Sequence, residues 1–103
     1  PCGWLILFTF SSKQAEKARS AAQTFLMKAK SGLREVDWLG PTSCFRARVK
    51  DRFRYQILMK APLSARSTRS EYRKRLKSLL AEYRANLPSQ VHFIVDVDPL
   101  QML

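Results

Sequence analysis

The chain has 103 residues, of which 46% are hydrophobic, and its formal net charge is +11 at pH 7. The apolar content excludes wholesale disorder, and the length predicts one domain, residues 1–103, with a core of its own. No apolar run reaches the roughly 18 residues that span a membrane, and the excess of Lys and Arg favours a polyanionic partner instead.

The first third of the chain predicts a strand followed by a helix. Trp4 to Phe10 is almost continuously apolar, which is typical of a central strand covered on both faces. Ser11 is predicted to cap the next helix, with Gln14 completing a capping box. Apolar residues at helical spacing predict that this helix packs on a sheet and ends near Gly32. They are Ala15, Ala18, Ala22, Phe25, Leu26 and Ala29.

Residues 44–62 alternate between apolar and polar side chains on both sides of a short charged centre. Strict alternation of this kind predicts two strands joined as a hairpin. Matching the apolar faces pairs Val49 with Phe53 and leaves a three-residue loop between the strands. The same register sets Arg48 opposite Arg54, a like-charge pair that weakens a sheet.

The polar face of this hairpin is rich in arginine and lysine. A row of like charges costs stability, so its presence favours an anionic partner. The alternative is a solvated edge that discourages association between sheets. The residues expected to contact nucleic acid are those of the hairpin and one at the start of the next helix: Arg46, Arg48, Lys50, Arg52, Arg54, Lys60 and Arg69.

The rest of the chain predicts a second helix and a last strand. Thr68 and Glu71 form a capping pattern, and Pro88 ends the helix. Residues 91–97 alternate as a strand does. The helix carries a basic ridge with one-turn spacing, at Arg69, Arg73 and Lys77.

The order of strand, helix, two strands, helix and strand predicts an α+β fold. In this β-α-β-β-α-β two-layer sandwich, two helices pack on one face of a four-stranded, largely antiparallel sheet.

The sequence offers little chemistry. Three glycines build no phosphate-binding loop, and two cysteines make no zinc site alone. His92 is interpreted as a residue on a sheet face. Asp96 and Asp98 are two carboxylates without a third, which is weak evidence for a metal ion. No catalytic residue and no metal ligand is therefore predicted.

Two segments together resemble a known family. Residues 54–61, with the sequence RYQILMKA, are followed later by Val95-Asp96-Val97-Asp98-Pro99. The pair resembles the C-terminal domain of the bacterial replication-restart helicases of the PriA family (primosomal protein N′), and the resemblance covers nearly the whole chain. It departs from the family at Cys2 and at Asp51, where an aromatic residue and a glycine are usual.

The resemblance implies a fold similar to ribosomal protein S10, packed against the helicase lobes of the same longer chain. It implies binding of single-stranded or forked DNA, contact with other primosome proteins, and docking of the acidic tail of single-stranded DNA-binding protein. Arg73 and Lys77 match the positions that meet this tail. No cofactor is expected in this domain, whereas ATP, magnesium and zinc are expected elsewhere in the full-length ATP-dependent helicase, in the bacterial cytoplasm at the nucleoid.

Two alternatives remain. A free-standing S10-like protein that binds RNA or belongs to the ribosome is disfavoured by the missing initiator Met and by the Asp-Val-Asp-Pro ending. The second alternative is a metal-dependent nuclease that uses Asp96 and Asp98.

Overall fold

The computed structural model describes residues 3–49 and 51–98, and for residues 45–49 it describes the backbone alone. The four strands form one antiparallel sheet in the order β2-β3-β1-β4. Both helices pack on one face of this sheet, so the predicted β-α-β-β-α-β sandwich is confirmed. The elements are β1 (Gly3–Ser12), α1 (Ala15–Gly32), β2 (Asp37–Val49), β3 (Arg52–Pro62), α2 (Arg69–Ala85) and β4 (His92–Val97).

The core is an aromatic cluster between α1 and the central strand. Phe25 of α1 is fully buried, and its ring centroid lies 4.6 Å from that of Phe8 and 5.6 Å from that of Phe10. Tyr83 of α2 and Phe93 of β4 complete the cluster, at 5.1 and 5.6 Å from Phe25. The buried alanines of α1 leave room for this contact because they keep the helix backbone close to the sheet.

Alternate residues of β1 face the helices, and the others face away from them. The helix-facing residues are buried, whereas Leu5 and Leu7 are half-buried. Exposed fractions of 58% for Leu39 and 53% for Ile94 show that the described residues leave this second face uncovered. The expectation that β1 is covered on both faces is therefore wrong. We call this second surface the open face; β1 and β3 contribute Leu5, Leu7, Thr9, Ser11, Arg54, Gln56, Leu58 and Lys60.

The helix α1 begins later than predicted. Ser11 pairs with Arg54 of β3 and with His92 of β4, so it belongs to the sheet and does not cap the helix. Gln14 occupies the N-cap position without a side-chain cap. The neighbouring Ser12 contributes instead, because its Oγ accepts a hydrogen bond from the Gln14 N–H at 3.1 Å.

The hairpin of β2 and β3 has a different register from the predicted one. Val49 pairs with Arg52, and Arg48 pairs with Phe53, which leaves two residues between the strands. The three-residue loop, the pairing of Val49 with Phe53 and the clash of Arg48 with Arg54 are therefore wrong. The two-residue loop sets this register, and bulges farther along β2 insert residues that have no partner in β3. Asp51 has a φ of 61°, as short hairpin loops require.

The strand β2 also runs through Gly40-Pro41, which interrupts its pairing without ending it. Gly40 has a φ of +116°, and a Cβ atom there would lie 2.6 Å from the carbonyl oxygen of Gln56. Only glycine fits a backbone with that conformation and that close a neighbour.

The helix α2 is capped as predicted. The Thr68 Oγ1 accepts a hydrogen bond from the Glu71 N–H at 3.2 Å. Two buried tyrosines tie the helix to the rest of the fold. Tyr72 donates to the carbonyl oxygen of Pro62 at 2.6 Å, and Tyr83 donates to that of Ala21 at 2.7 Å. Burial raises the pKa of the Tyr83 hydroxyl, which therefore stays protonated as a donor.

A charged contact joins α2 to the segment after α1. Arg75 donates through both Nη atoms to the Glu35 carboxylate, and its Nη2 also donates to the Gly32 carbonyl oxygen at 2.8 Å. These hydrogen bonds from Arg75 hold the pKa of Glu35 below its ordinary value.

The position of the core predicts unequal costs for two neighbouring residues of β3. Ile57 is fully buried beneath the helices, whereas Leu58 is half-buried on the open face. We expect Ile57→Ala to lower the free energy of unfolding by about 2–5 kcal/mol because it leaves a cavity. Leu58→Ala should cost at most about 1 kcal/mol, since its side chain is already partly in water. Urea denaturation measures both, and equal costs would contradict a core on one face only.

The pair of Glu35 and Arg75 predicts a pH-dependent stability. Because its folded pKa is lowered, Glu35 contributes stability above its unfolded pKa, and that contribution is lost as the pH falls through the folded pKa. Both side chains are about 40% exposed, so Glu35→Gln should cost less than about 1 kcal/mol near pH 7. Thermal melts should show that the difference from wild type shrinks in acid. A matched control is Glu16→Gln, because Glu16 pairs with Arg19 within α1. If Glu35→Gln lowered the melting temperature equally at pH 7 and in acid, the stabilising role of the Glu35–Arg75 pair would be contradicted.

Candidate nucleic-acid and partner surfaces

Basic and polar side chains gather at one end of the open face. Arg54 of β3 lies opposite Ser11 of β1, and Ser11 lies opposite His92 of β4. Because paired residues of antiparallel strands share a face, these three form a row across three strands. Arg52 is two residues from Arg54 and points to the same side. We call this group, Arg52, Arg54, Ser11 and His92, the basic sheet end.

Hydrogen bonds fix the guanidinium of Arg52. Its Nε donates to the Ser11 Oγ at 3.3 Å, and its Nη2 donates to the Ser11 carbonyl oxygen at 3.0 Å. A half-buried guanidinium held in this way loses less side-chain entropy when it binds an anion than a free one does. Arg52 is therefore a preorganised cation at the edge of the open face.

The open face changes from polar to apolar along its strands. In the next row from the basic sheet end, Gln56 Nε2 donates to Thr9 Oγ1 at 3.4 Å. In the following row, Leu39, Leu58 and Leu7 are in register across three strands, and β4 adds Asp96 at the edge. A charged end beside an apolar centre suits a partner with anionic groups and flat apolar surface, which nucleotides combine.

Of the predicted nucleic-acid residues, the described side chains bring only Arg52 and Arg54 together. Lys60 shares the open face but lies six residues along β3 from Arg54, about 20 Å at the rise of such a strand. It is opposite Asp37 in β2, a carboxylate that offsets its charge. Arg69 is the first residue of α2 and belongs to the helix layer.

The other three residues that were predicted to contact nucleic acid are close to Arg52 in sequence. The backbone of Arg46 and Arg48 belongs to β2, where Arg48 pairs with Phe53. Their side chains, and Lys50 as a whole, lie outside the described residues. Their role in binding stays a prediction.

The second surface is the α2 ridge, made of Arg69, Arg73 and Lys77. The Cζ of Arg73 lies 5.3 Å from the ring centroid of Trp4, a cation–π contact that holds the side chain over β1. Trp4 pairs with Ala61 near the end of β3, so this contact lies at the end of the sheet remote from Arg52 and Arg54. Leu76, which precedes Lys77 in the chain, is 4% exposed and belongs to the core. Leu80, three residues after Lys77, is half-buried and therefore presents some apolar surface beside the α2 ridge.

Several basic and aromatic residues have structural contacts instead. The Cζ of Arg84 lies 4.8 Å from the Phe93 ring centroid, and Lys74 lies 3.8 Å from Glu71. An exposed aromatic ring can serve as a platform on which bases stack. Trp38, however, is half-buried and donates its indole N–H to the Leu33 carbonyl oxygen at 3.2 Å. The side chain of Phe45 lies outside the described residues. Sequence spacing alone does not separate such contacts from a binding surface.

The described residues give little support to metal chemistry. Over residues 3–49 and 51–98, no three His, Cys, Asp or Glu side chains gather closely enough to hold a metal ion. Asp98 lies beyond the end of β4 with a φ of 57°, so it does not continue the strand on which Asp96 lies.

The remaining titratable side chain of chemical interest is Cys44. Burial raises the pKa of its thiol, which disfavours the reactive thiolate.

Neither helix of the described chain is long and apolar enough to cross a membrane.

Solved structures resemble this chain in fold alone. A de novo designed protein, Foldit4, superposes with a TM-score of 0.64 and 10% sequence identity, over 92% of this chain and 94% of that protein. A hydantoinase/carbamoylase family amidase from Burkholderia ambifaria gives a TM-score of 0.50 at 10% identity. That match covers 92% of this chain and 27% of the amidase. Identities this low carry no inference about function.

Sequence comparison identifies the family. The model of the primosomal protein N C-terminal domain matches residues 1–100. Replication restart protein PriA of Treponema pallidum (strain Nichols) is 38% identical over 101 residues, which are 96% of this chain and 14% of that protein. The chain thus spans about one seventh of the length of this relative. With nearly its whole length matched by the family model, this chain belongs to the family of primosomal protein N C-terminal domains.

Proposed function

We propose that this chain is the accessory C-terminal domain of a replication-restart protein of the PriA type. In this role it binds single-stranded or forked DNA through the open face and contributes to primosome assembly. The observation that carries the proposal is the family match over residues 1–100. The identity of 38% with a replication restart protein supports the same role.

The charge distribution supports DNA as the ligand. The net charge is +11, and the basic sheet end places Arg54 beside the preorganised Arg52 on a sheet face that the described residues leave uncovered. Arginine and lysine contacts with phosphates supply most of the affinity in binding that is not sequence-specific. The absence of a groove-reading helix signal in the sequence favours such backbone contact over base reading.

The α2 ridge is the proposed docking site for the acidic tail of single-stranded DNA-binding protein. Arg73 and Lys77 lie one turn apart and both are exposed, so they can hold a carboxylate between them. The half-buried Leu80 supplies apolar surface for a hydrophobic side chain of the tail. The contact of Arg73 with Trp4 limits its motion and favours a defined site.

The parent protein is proposed to be an ATP-dependent DNA helicase of the bacterial cytoplasm, active at the nucleoid. Its ATP, magnesium and zinc belong to regions outside this chain, and this domain itself catalyses no reaction. The helicase lobes of the same polypeptide and other primosome proteins are its further proposed partners.

An S10-like RNA-binding protein is the alternative. The β-α-β-β-α-β sheet with an uncovered face is compatible with it, because single-stranded RNA is often bound on such a sheet. Competition between DNA and RNA oligonucleotides of the same sequence separates the two. A clear preference for RNA would favour the alternative.

The DNA proposal predicts salt-dependent binding that Arg54 supports. Affinity for labelled oligo-dT, measured by fluorescence anisotropy, should fall at least about tenfold between 50 and 200 mM salt, because phosphate contacts release counterions. Arg54→Ala should weaken binding and reduce the slope of affinity against salt by about one contact.

The matched control for this prediction is Arg19→Ala. Arg19 carries the same charge but pairs with Glu16 on the outer side of α1. Equal weakening in both variants would mean diffuse attraction without a site on the sheet. An affinity for oligo-dT that does not change with salt concentration would contradict phosphate binding.

The tail proposal predicts weak binding that depends on Arg73. A labelled acidic peptide that ends in an apolar residue with a free carboxylate should bind with a Kd on the order of 10–100 µM, as suits a small charge-led site. Arg73→Ala and Lys77→Ala should each weaken binding severalfold, and amidation of the peptide C-terminus should do the same.

Arg54→Ala is the control for the tail, because it removes the same charge at the remote end of the sheet. Loss in Arg73→Ala alone is the expected result. If Arg54→Ala weakens binding of the peptide as much as Arg73→Ala does, the α2 ridge is not a specific site and the whole basic surface attracts the peptide.

A further inference from the structure

A small cavity lies where three segments meet next to the basic sheet end. The β1–α1 connection contributes Lys13, β3 contributes Arg52, and β4 contributes His92. The cavity has a volume of about 190 Å³, which is below the roughly 300–1,000 Å³ of pockets for drug-sized ligands. It is therefore suited to a small group. Its lining residues are Ser12, Lys13, Gln14, Arg52, Ser89, Gln90 and His92.

The lining has the character of an anion site. Each of its seven side chains can donate a hydrogen bond, and the set contains no carboxylate. Two further cavities among the described residues differ, since Glu16 lines the groove between the helices and Asp37 lines the cavity beside Trp38. A rim with Lys13 and Arg52 and without an acidic residue favours a negatively charged occupant.

A buried serine also lines this cavity. Ser12 is 0% exposed, and its Oγ accepts the N–H of Gln14. This hydrogen bond pairs Ser12, so the anion-binding character of the cavity comes from Lys13 and Arg52 at its rim.

The position of the cavity identifies the source of the anion. Arg52 both lines the cavity and belongs to the basic sheet end, and its guanidinium is already oriented by Ser11. His92 likewise belongs to both. A phosphate in the cavity is therefore continuous with a strand that lies on the open face.

We propose that this cavity is a phosphate subsite, in which Lys13 and Arg52 hold one phosphodiester of a nucleic-acid strand bound on the open face. This assignment rests on the proposed DNA binding and places one of its contacts. Gln90 and His92 also line the cavity. Neither Lys13 nor the connection to α1 was among the residues that the sequence singled out for binding.

The test uses His92, the only histidine of the 103 residues, as a reporter. Its imidazole C–H signals are followed by NMR while oligo-dT is added to one sample and inorganic phosphate to another. We expect oligo-dT to shift these signals. Lys13→Ala should reduce the slope of log affinity against log salt by about one, as the loss of one phosphate contact does.

Lys17→Ala is the matched control. Lys17 lies in the first turn of α1 and lines the separate groove between the helices, so its replacement removes the same charge away from the subsite. We expect the salt slope of Lys17→Ala to equal that of wild type. Equal slopes for Lys13→Ala and Lys17→Ala, or oligo-dT binding without a shift at His92, would overturn the subsite while the proposed DNA binding stands.

The two additions also separate the sources of the anion. If inorganic phosphate shifts the His92 signals and oligo-dT does not bind, the cavity takes a free anion and the proposed function fails. If oligo-dT binds and shifts His92 in wild type, and Lys13→Ala weakens that shift, the subsite belongs to nucleic acid. Circular dichroism of each variant shows whether the fold is intact.

Discussion

The contact between α1 and the middle of the sheet is the interaction on which the structure depends. Phe25 lies within 5.6 Å of four aromatic rings, those of Phe8, Phe10, Tyr83 and Phe93, which come from β1, α2 and β4. Aromatic pairs at such distances add to the free energy of burial, by about 0.5–1.5 kcal/mol each. Because both helices pack on this face, no described element covers the other face of the sheet. The surface proposed for DNA is thus a consequence of where the core lies.

The same one-sided packing divides four of the described arginines into two groups, those that stabilise the helix layer and those on the uncovered face. Arg75 bonds Glu35 and Gly32, and Arg84 lies over Phe93, so both stabilise the helix layer. Arg52 and Arg54 lie on the uncovered side, where Arg52 is oriented by Ser11 without a carboxylate partner among the bonds described. A net charge of +11 alone indicates attraction to any polyanion, and it is this placement that favours a particular face.

Much of the fold follows from the sequence because long periodic segments dominate it. The apolar stripe through Phe25 and the Thr68 cap each predict their helices correctly, and the element order predicts the sandwich. The hairpin register could not be predicted in the same way. Alternation assumes one residue opposite one residue, and the bulges of β2 break that assumption between Ser43 and Arg48. The Ser11 cap failed for a related reason, since pairing with Arg54 extends the strand past a residue with cap chemistry.

The candidate sites were predictable only in part. The residue type singled out Arg54 and Arg73, but the sequence could not show that they lie at opposite ends of the sheet. It also gave no signal for the subsite, because Lys13, Arg52 and His92 are far apart in the chain and meet only through the pairing of β1 with β3 and β4. Helical spacing also does not say how deep a residue lies, since Leu76 is core, whereas Leu80, one turn further along α2, is half-buried.

We propose the open face, at its basic end, as the nucleic-acid surface. Mapping oligo-dT onto the isotopically labelled domain by amide NMR is the decisive measurement. The largest shifts should fall on β1, β3 and β4 near Ser11, Arg54 and His92, while the outer side of α1 stays unchanged. Shifts confined to the two helices, with the amides of the open face unmoved, would contradict it.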